Sequence, residues 1–164
     1  MQSNLNTSGF TLTEMLIALT IIAIAVSALT VNWSPQLDRA ALAEAVQAYV
    51  NFDRATRLHA IDKGRTCLLK HDSAHNSVSA SRWNGNIEFF QKLQLGPRTQ
   101  VTNVLFTAEA ISVSPSGSST SYAVAITGNS DTKWIYLIGG TGQAKVFDKL
   151  NDVKAFHDSI EGIR

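Results

Sequence analysis

The sequence predicts an α+β protein: one long N-terminal helix, transmembrane at first and amphipathic after it, packed on an antiparallel β-sandwich-like domain. Three observations lead there. The run from Met15 to Val31 is aliphatic or Met apart from Thr20, Ser27 and Thr30, and it reaches the ~17 residues at the lower limit for crossing a bilayer core. From Gln36 to Lys63 the apolar positions recur at spacings of three and four, the period of a helix with one buried stripe. Beyond Gly64, short runs rich in β-branched and aromatic residues alternate with Gly, Asn and Pro clusters, the pattern of strands joined by tight turns.

The chain divides where these patterns change: residues 1–9 are a short polar leader, 10–33 the apolar half of the helix, 34–63 its amphipathic half, and 64–164 a β-rich domain. Trp33 stands where an interfacial aromatic belongs. Pro35 removes one intrahelical hydrogen bond, which predicts a helix kink or a loosened turn there. In the amphipathic half, Leu37, Ala41, Ala45, Ala48, Phe52 and Ala55 form the stripe, and Val46 and Tyr49 widen it. Glu44, Gln47, Asn51 and Arg54 fall largely outside. Lys63-Gly64 is a stop signal, a cation in the last turn followed by a C-cap glycine. A helix from Phe10 to Lys63 would be roughly 80 Å long. Its outer half, rich in Ala, buries little alone and needs the following domain for support.

The expected strands are Thr66 to Lys70, Asn76 to Trp83, Ile87 to Leu93, Thr99 to Phe106, Ile111 to Val113, Tyr122 to Thr127, Lys133 to Ile138 and Gln143 to Phe147. Asn84-Gly85-Asn86, Gly96-Pro97, Gly128-Asn129-Ser130-Asp131 and Gly139-Gly140-Thr141-Gly142 supply the turns between them. The Ser-rich stretch from Ser114 to Ser121 is low in complexity and is expected to be a mobile loop.

Composition bounds the function. A net charge of +1 with 16% charged residues demands neither nucleic acid nor an anionic surface. Roughly 125 residues remain beyond the leader and the apolar half-helix, enough for one domain. The single cysteine, Cys67, rules out an intrachain disulfide and a cysteine-based metal cluster; a small buried strand residue is its expected role.

Glu14 sits at the edge of the apolar run. An unpartnered carboxylate costs roughly 2.5–3.5 kcal/mol at the centre of a membrane helix and less near the interface, so a plain anchor has no use for it. Gly9-Phe10-Thr11-Leu12-Thr13-Glu14 resembles the cleavage and methylation motif of type IV prepilins and type II secretion pseudopilins. The resemblance implies that a membrane aspartic peptidase cuts between Gly9 and Phe10, that Phe10 is then N-methylated, and that Glu14, fifth in the mature chain, directs assembly. Four residues of helix rise is roughly 6 Å, so Glu14 lies one turn from the new cationic amine. It also lies near the positive end of the helix dipole, which favours an anion. The family reading pairs Glu14 of an incoming subunit with the amine of a neighbour. A buried pair of that kind adds modest net stability, whereas one partner alone costs ~3–5 kcal/mol, so register is its expected contribution.

The leader Met1 to Gly9 has no Lys or Arg, and the first basic residue is Arg39. The positive-inside rule therefore does not orient the chain; either the free amine of Met1 serves or the chain starts upstream. Two other readings of the segment stand beside the motif. Ala23-Ile24-Ala25 and Val26-Ser27-Ala28 offer small-residue sites for an ordinary signal peptidase, and a simple signal anchor would need no cleavage.

Within the pilin-like group, the soluble part resembles the minor pseudopilin H and FimT-like branch. The resemblance rests on Arg57, His59, Ala60, Lys63 and Gly64 before Cys67-Leu68-Leu69, on Ser114-Pro115-Ser116-Gly117, and on Gly140-Thr141-Gly142-Gln143-Ala144-Lys145. Some FimT-like pilins capture DNA through a C-terminal Gly-Arg-x-Arg element. Here Gly142-Gln143-Ala144-Lys145 lacks the first Arg and has Lys for the second, a loss of phosphate-contacting charge. Arg54, Arg57, Lys63, Arg65 and Lys70 cluster in sequence and are expected on a solvated face, three of them near a helix end that favours cations.

No catalytic constellation emerges, and no cofactor or metal is expected. His71 and His75 are spaced i, i+4 with Asp72 beside them, a spacing metal sites use on helices, but the surrounding polar residues read as a loop. Ser116 and Ser118 lack the strand-turn-helix context of a nucleophile elbow, and Gly139-Gly140-Thr141-Gly142 lacks the Lys of a phosphate loop. Gly128 to Asp131 and Asp148 to Asp152 do not form a dense calcium loop. The resemblance to pilins and pseudopilins thus implies a structural minor pseudopilin or pilin-like subunit in the bacterial inner membrane, single-pass with its C-terminal domain periplasmic, and then in a periplasmic or surface filament. Its implied partners are the prepilin peptidase, other pilins or pseudopilins, the inner-membrane assembly platform and inner-membrane lipid. A DNA-uptake minor pilin and a signal-anchored periplasmic protein of other function are the alternatives.

Overall fold

The computed structural model describes residues 10–83, 87–107 and 110–162; the side chains of residues 29–32, 34, 83, 87 and 88 lie outside that description. Helix α1 (Leu12–Lys63) is followed by β1 (Cys67–Asp72), β2 (Ser77–Trp83), β3 (Ile87–Gln94), β4 (Gln100–Leu105), β5 (Ala110–Val113), β6 (Tyr122–Thr127), β7 (Thr132–Leu137), β8 (Ala144–Phe147) and α2 (Leu150–Glu161). Pro35 lies inside α1. The chain separates into two units, Met1–Leu37 and Asp38–Arg164.

In the second unit the strands form two four-stranded antiparallel sheets, ordered β3-β2-β1-β5 and β4-β6-β7-β8. Residues 42–60 of α1 pack with both. Leu42, Ala45, Tyr49, Phe52 and Ala60 share one core with Leu69, Val78, Ile111, Val124 and Ile135, among others. Cys67 is part of it, fully buried in β1 as expected, and burial pushes its thiol up. Strand β6 is buried along almost its whole length because its two faces serve two cores. Tyr122, Val124 and Ile126 face α1, whereas Ala123 and Ala125 face a second cluster with Trp134, Tyr136 and Val153. Alternate residues of a strand point to opposite faces, and the small Ala side chains leave room for α2 and its aromatic neighbours.

Three expectations change. The β-rich pattern expected over residues 64–164 includes no helix, yet α2 forms at its end, with Leu150, Val153, Phe156 and Ile160 turned to the second cluster. The stretch from Ser114 to Ser121 is held, not mobile. The Ser114 amide donates to the Ser118 carbonyl at 2.8 Å and the Ser119 amide to the Gly139 carbonyl at 2.9 Å. Arg57, expected on a solvated face, is the reason this loop is fixed.

Arg57 is 6% exposed. Its Nε donates to Asp53 Oδ2 at 2.6 Å, Nη1 to the carbonyls of Gly117 and Gly139 at 2.9 Å each, and Nη2 to Ser119 Oγ at 2.9 Å. The other Asp53 oxygen accepts from the Tyr122 hydroxyl at 2.6 Å. One guanidinium thus ties α1 to the loops before β6 and after β7. A buried charge needs its full set of partners, and this one has them. The loops meet closely: a Cβ on Gly139 would stand 2.1 Å from the Ser119 carbonyl oxygen. Gly139→Ala is expected to cost about 2–3 kcal/mol by forcing the two backbones apart, read as a lower urea midpoint.

Beside this core lies a half-buried histidine, His71 of β1. His71 Nε2 lies 2.7 Å from the Tyr49 hydroxyl, and burial lowers the ring's pKa from 6.5 to about 4. Folding therefore favours the neutral ring. Its contribution is complete above the unfolded pKa near 6.5 and is lost as pH falls toward 4, because only the unfolded chain protonates in that window. The expected loss is on the order of 2–3 kcal/mol between pH 7 and pH 4. Thermal melts across that range check it, and His71→Gln should flatten the dependence.

Candidate assembly site at the N-terminus of α1

Helix α1 opens on Thr11-Leu12-Thr13-Glu14. The Glu14 amide donates to Thr11 Oγ1 at 3.3 Å, while Glu14 Oε2 accepts from the Thr11 amide and hydroxyl at 2.9 Å each. This is a reciprocal capping box, which satisfies two of the amides a helix start leaves unpaired. The sequence carries its signature, Thr followed three residues later by Glu. Oε1 makes no hydrogen bond among the described residues. Phe10 precedes the cap and is 81% exposed; Gly9, the other side of the expected cut, lies outside the described residues.

The helix that follows has no buried face of its own. Its large apolar side chains from Leu12 to Val26, including Leu16, Ile17, Ile21 and Ile24, are all at least half exposed. The hydroxyls of Thr20 and Ser27 are satisfied within the helix, Thr20 donating to the carbonyls of Leu16 and Ile17, and Ser27 to that of Ala23. A helix apolar all round belongs in a non-aqueous setting. Among the described residues no helix is long and apolar enough to cross a membrane; the apolar run continues into residues 29–31, whose side chains lie outside them.

Elsewhere the other candidate residues separate. His75 Nδ1 is 2.8 Å from Asp72 Oδ2 on the surface, while His71 points to Tyr49; no group of metal-ligating side chains occurs among the described residues. The hydroxyls of Ser114, Ser116 and Ser118 bond to one another at 2.8–2.9 Å. Gly128 and Asp131 close a tight turn. Asp148 pairs with Lys133. Lys145, the last residue of Gly142-Gln143-Ala144-Lys145, lies 4.2 Å from the ring centre of Phe156 in α2 and 5.3 Å from that of Phe147 in β8.

Residues 4–30 match the model of the prokaryotic N-terminal methylation motif. Solved structures similar to this chain include the minor pseudopilin EpsH of the type 2 secretion system of Vibrio cholerae, with a TM-score of 0.52 at 13% identity over 63% of this chain and 93% of that one. The type IV minor pilin FimU of Pseudomonas aeruginosa gives 0.55 at 15% identity, over 67% and 90%. The fold is pilin-like. No curated protein sequence matches the chain. The pilin-like chain thus joins a methylation motif to an α+β unit, and its expected N-terminal residues fall within the matched segment.

Proposed function

We propose that the chain is a structural subunit of a type II secretion pseudopilus or a type IV pilus-like filament. It is made with a leader ending at Gly9, cut by the prepilin peptidase, N-methylated at Phe10 and held in the inner membrane by residues 10–33. Subunits then leave the bilayer on the inner-membrane assembly platform and pack their apolar half-helices together, with the second unit periplasmic. The observation that carries this is the N-terminal half-helix, apolar on every side and opened by a carboxylate. Both a bilayer and a bundle of like helices would cover such a surface. Oε2 of Glu14 holds the residue next to Phe10, and Oε1 remains for the amine of a neighbour. Pro35, where the apolar half ends, weakens the helical ladder and would allow the two halves to adjust separately. The subunit has no catalysis of its own, and the seating of Lys145 on aromatic rings favours this reading over DNA capture.

The test is the mass and N-terminal residue of the protein purified from membranes of cells with a prepilin peptidase. A chain beginning at N-methylated Phe10 is expected. A start at Met1 would indicate a plain anchor, and a start after Ala25 or Ala28 a secreted protein.

A further inference from the structure

The first sheet carries a surface that the filament reading does not use. On its outer face Lys70, Ser79 and Lys92 stand in cross-strand register, so the two lysines flank a serine. Strands are ~4.8 Å apart, which separates the lysine Cβ atoms by about 10 Å. Among the residues of the middle strand whose side chains are described, Ser77, Ser79 and Ser81 share this face. Small residues between long ones leave an open trough of about 870 Å³ along β2. Neither ammonium has a carboxylate partner among the described residues.

A bulge decides what stands at one end. The register of β2 with β3 shifts between Ala80 and Ser81, pairing Ala80 with Gln91 and Ser81 with Phe89. Phe90 is the extra residue, turned inward to stack on His59 of α1 at 4.1 Å. Phe89 is thereby brought to the outer face beside Lys92, three residues away, where strict alternation would have turned it inward. It is 68% exposed. At the other end Asp72 stands in register with Ser77.

We propose that this trough binds an extended acidic peptide, one carboxylate seated between Lys70 and Lys92 over Ser79, and an apolar side chain two residues along resting on Phe89. Successive rows of the trough are two residues apart along the strands, the same repeat of roughly 6.6 Å that separates like-facing side chains of an extended ligand. Lysines act as point charges and accept a carboxylate without fixed geometry. Asp72 argues against a polyanion: it lies one row beyond the lysine pair, where the next phosphate of a single strand would fall.

The test uses the full chain in detergent micelles and a fluorescein-labelled peptide with Glu two residues from Phe in a Gly/Ser background, followed by anisotropy against empty micelles. Saturable binding is expected, falling about tenfold or more in Lys70→Glu/Lys92→Glu and clearly in Phe89→Ser, with unfolding midpoints unchanged because all three side chains are exposed. Absence of saturable binding at millimolar peptide would overturn the proposal. So would equal binding by a peptide with Glu and Phe adjacent, or an unchanged affinity in the double variant. Tighter, lysine-dependent binding of labelled oligothymidylate would replace the peptide by nucleic acid.

Discussion

Arg57→Ala lowers the unfolding midpoint of the β-rich unit by roughly 10–20 °C, the expected shift for a loss of about 3–5 kcal/mol in a unit of this size. The size follows from what the substitution leaves behind. Asp53 stays buried with only the Tyr122 hydroxyl as partner, and the carbonyls of Gly117 and Gly139 lose their shared donor. Asp53→Ala should do comparable damage by stranding the guanidinium. The paired change Asp53→Leu/Arg57→Met should cost far less than the sum, since replacing both charges removes the uncompensated one. Calorimetry of the four proteins in detergent reads the coupling. Additive losses would mean that the two charges do not stabilise one another.

Glu14→Ala and Glu14→Gln should separate the two services of one side chain. Both are expected to leave cleavage largely intact and to reduce filament entry at least about tenfold, because each removes the anion that a neighbour's amine requires. They should differ at the helix start. The amide of Gln can still accept from Thr11, so Glu14→Gln keeps most of the capping box. Glu14→Ala loses it, at a cost of about 0.5–2 kcal/mol in the first turn. Quantifying cleaved subunit in membranes and in sheared filaments checks both. Normal filament entry by Glu14→Gln would mean that the carboxylate serves its own helix and no neighbour.

Seven of the strands were legible to within a residue or two, and β6 to the residue, because β-branched runs between Gly and Asn turns are set by local chemistry. Helix α2 was missed although Leu150, Val153, Phe156 and Ile160 recur at spacings of three and four. Its start has no side-chain cap, so the usual opening signal was absent. Arg57 was misjudged for a different reason. Sequence places it among other cations near a helix end, and only the return of the chain at Gly117, Ser119 and Gly139, more than sixty positions later in two of the three cases, shows that its environment is buried. The buried stripe of α1 was read as apolar, yet Asp53, Thr56 and Arg57 belong to it. At the N-terminus the match to the methylation motif over residues 4–30 was legible because its spacing is local, and the capping role of Glu14 is equally local.

The lone thiol of Cys67 gives the chain an internal clock. It is the one cysteine in the sequence, sealed in β1 between α1 and the sheet core. A maleimide dye can reach it only while that core is open, so the labelling rate would report how often the folded unit breathes. For the same reason, copies crowded together in an oxidising compartment cannot be stapled to one another through this sulfur while they remain folded.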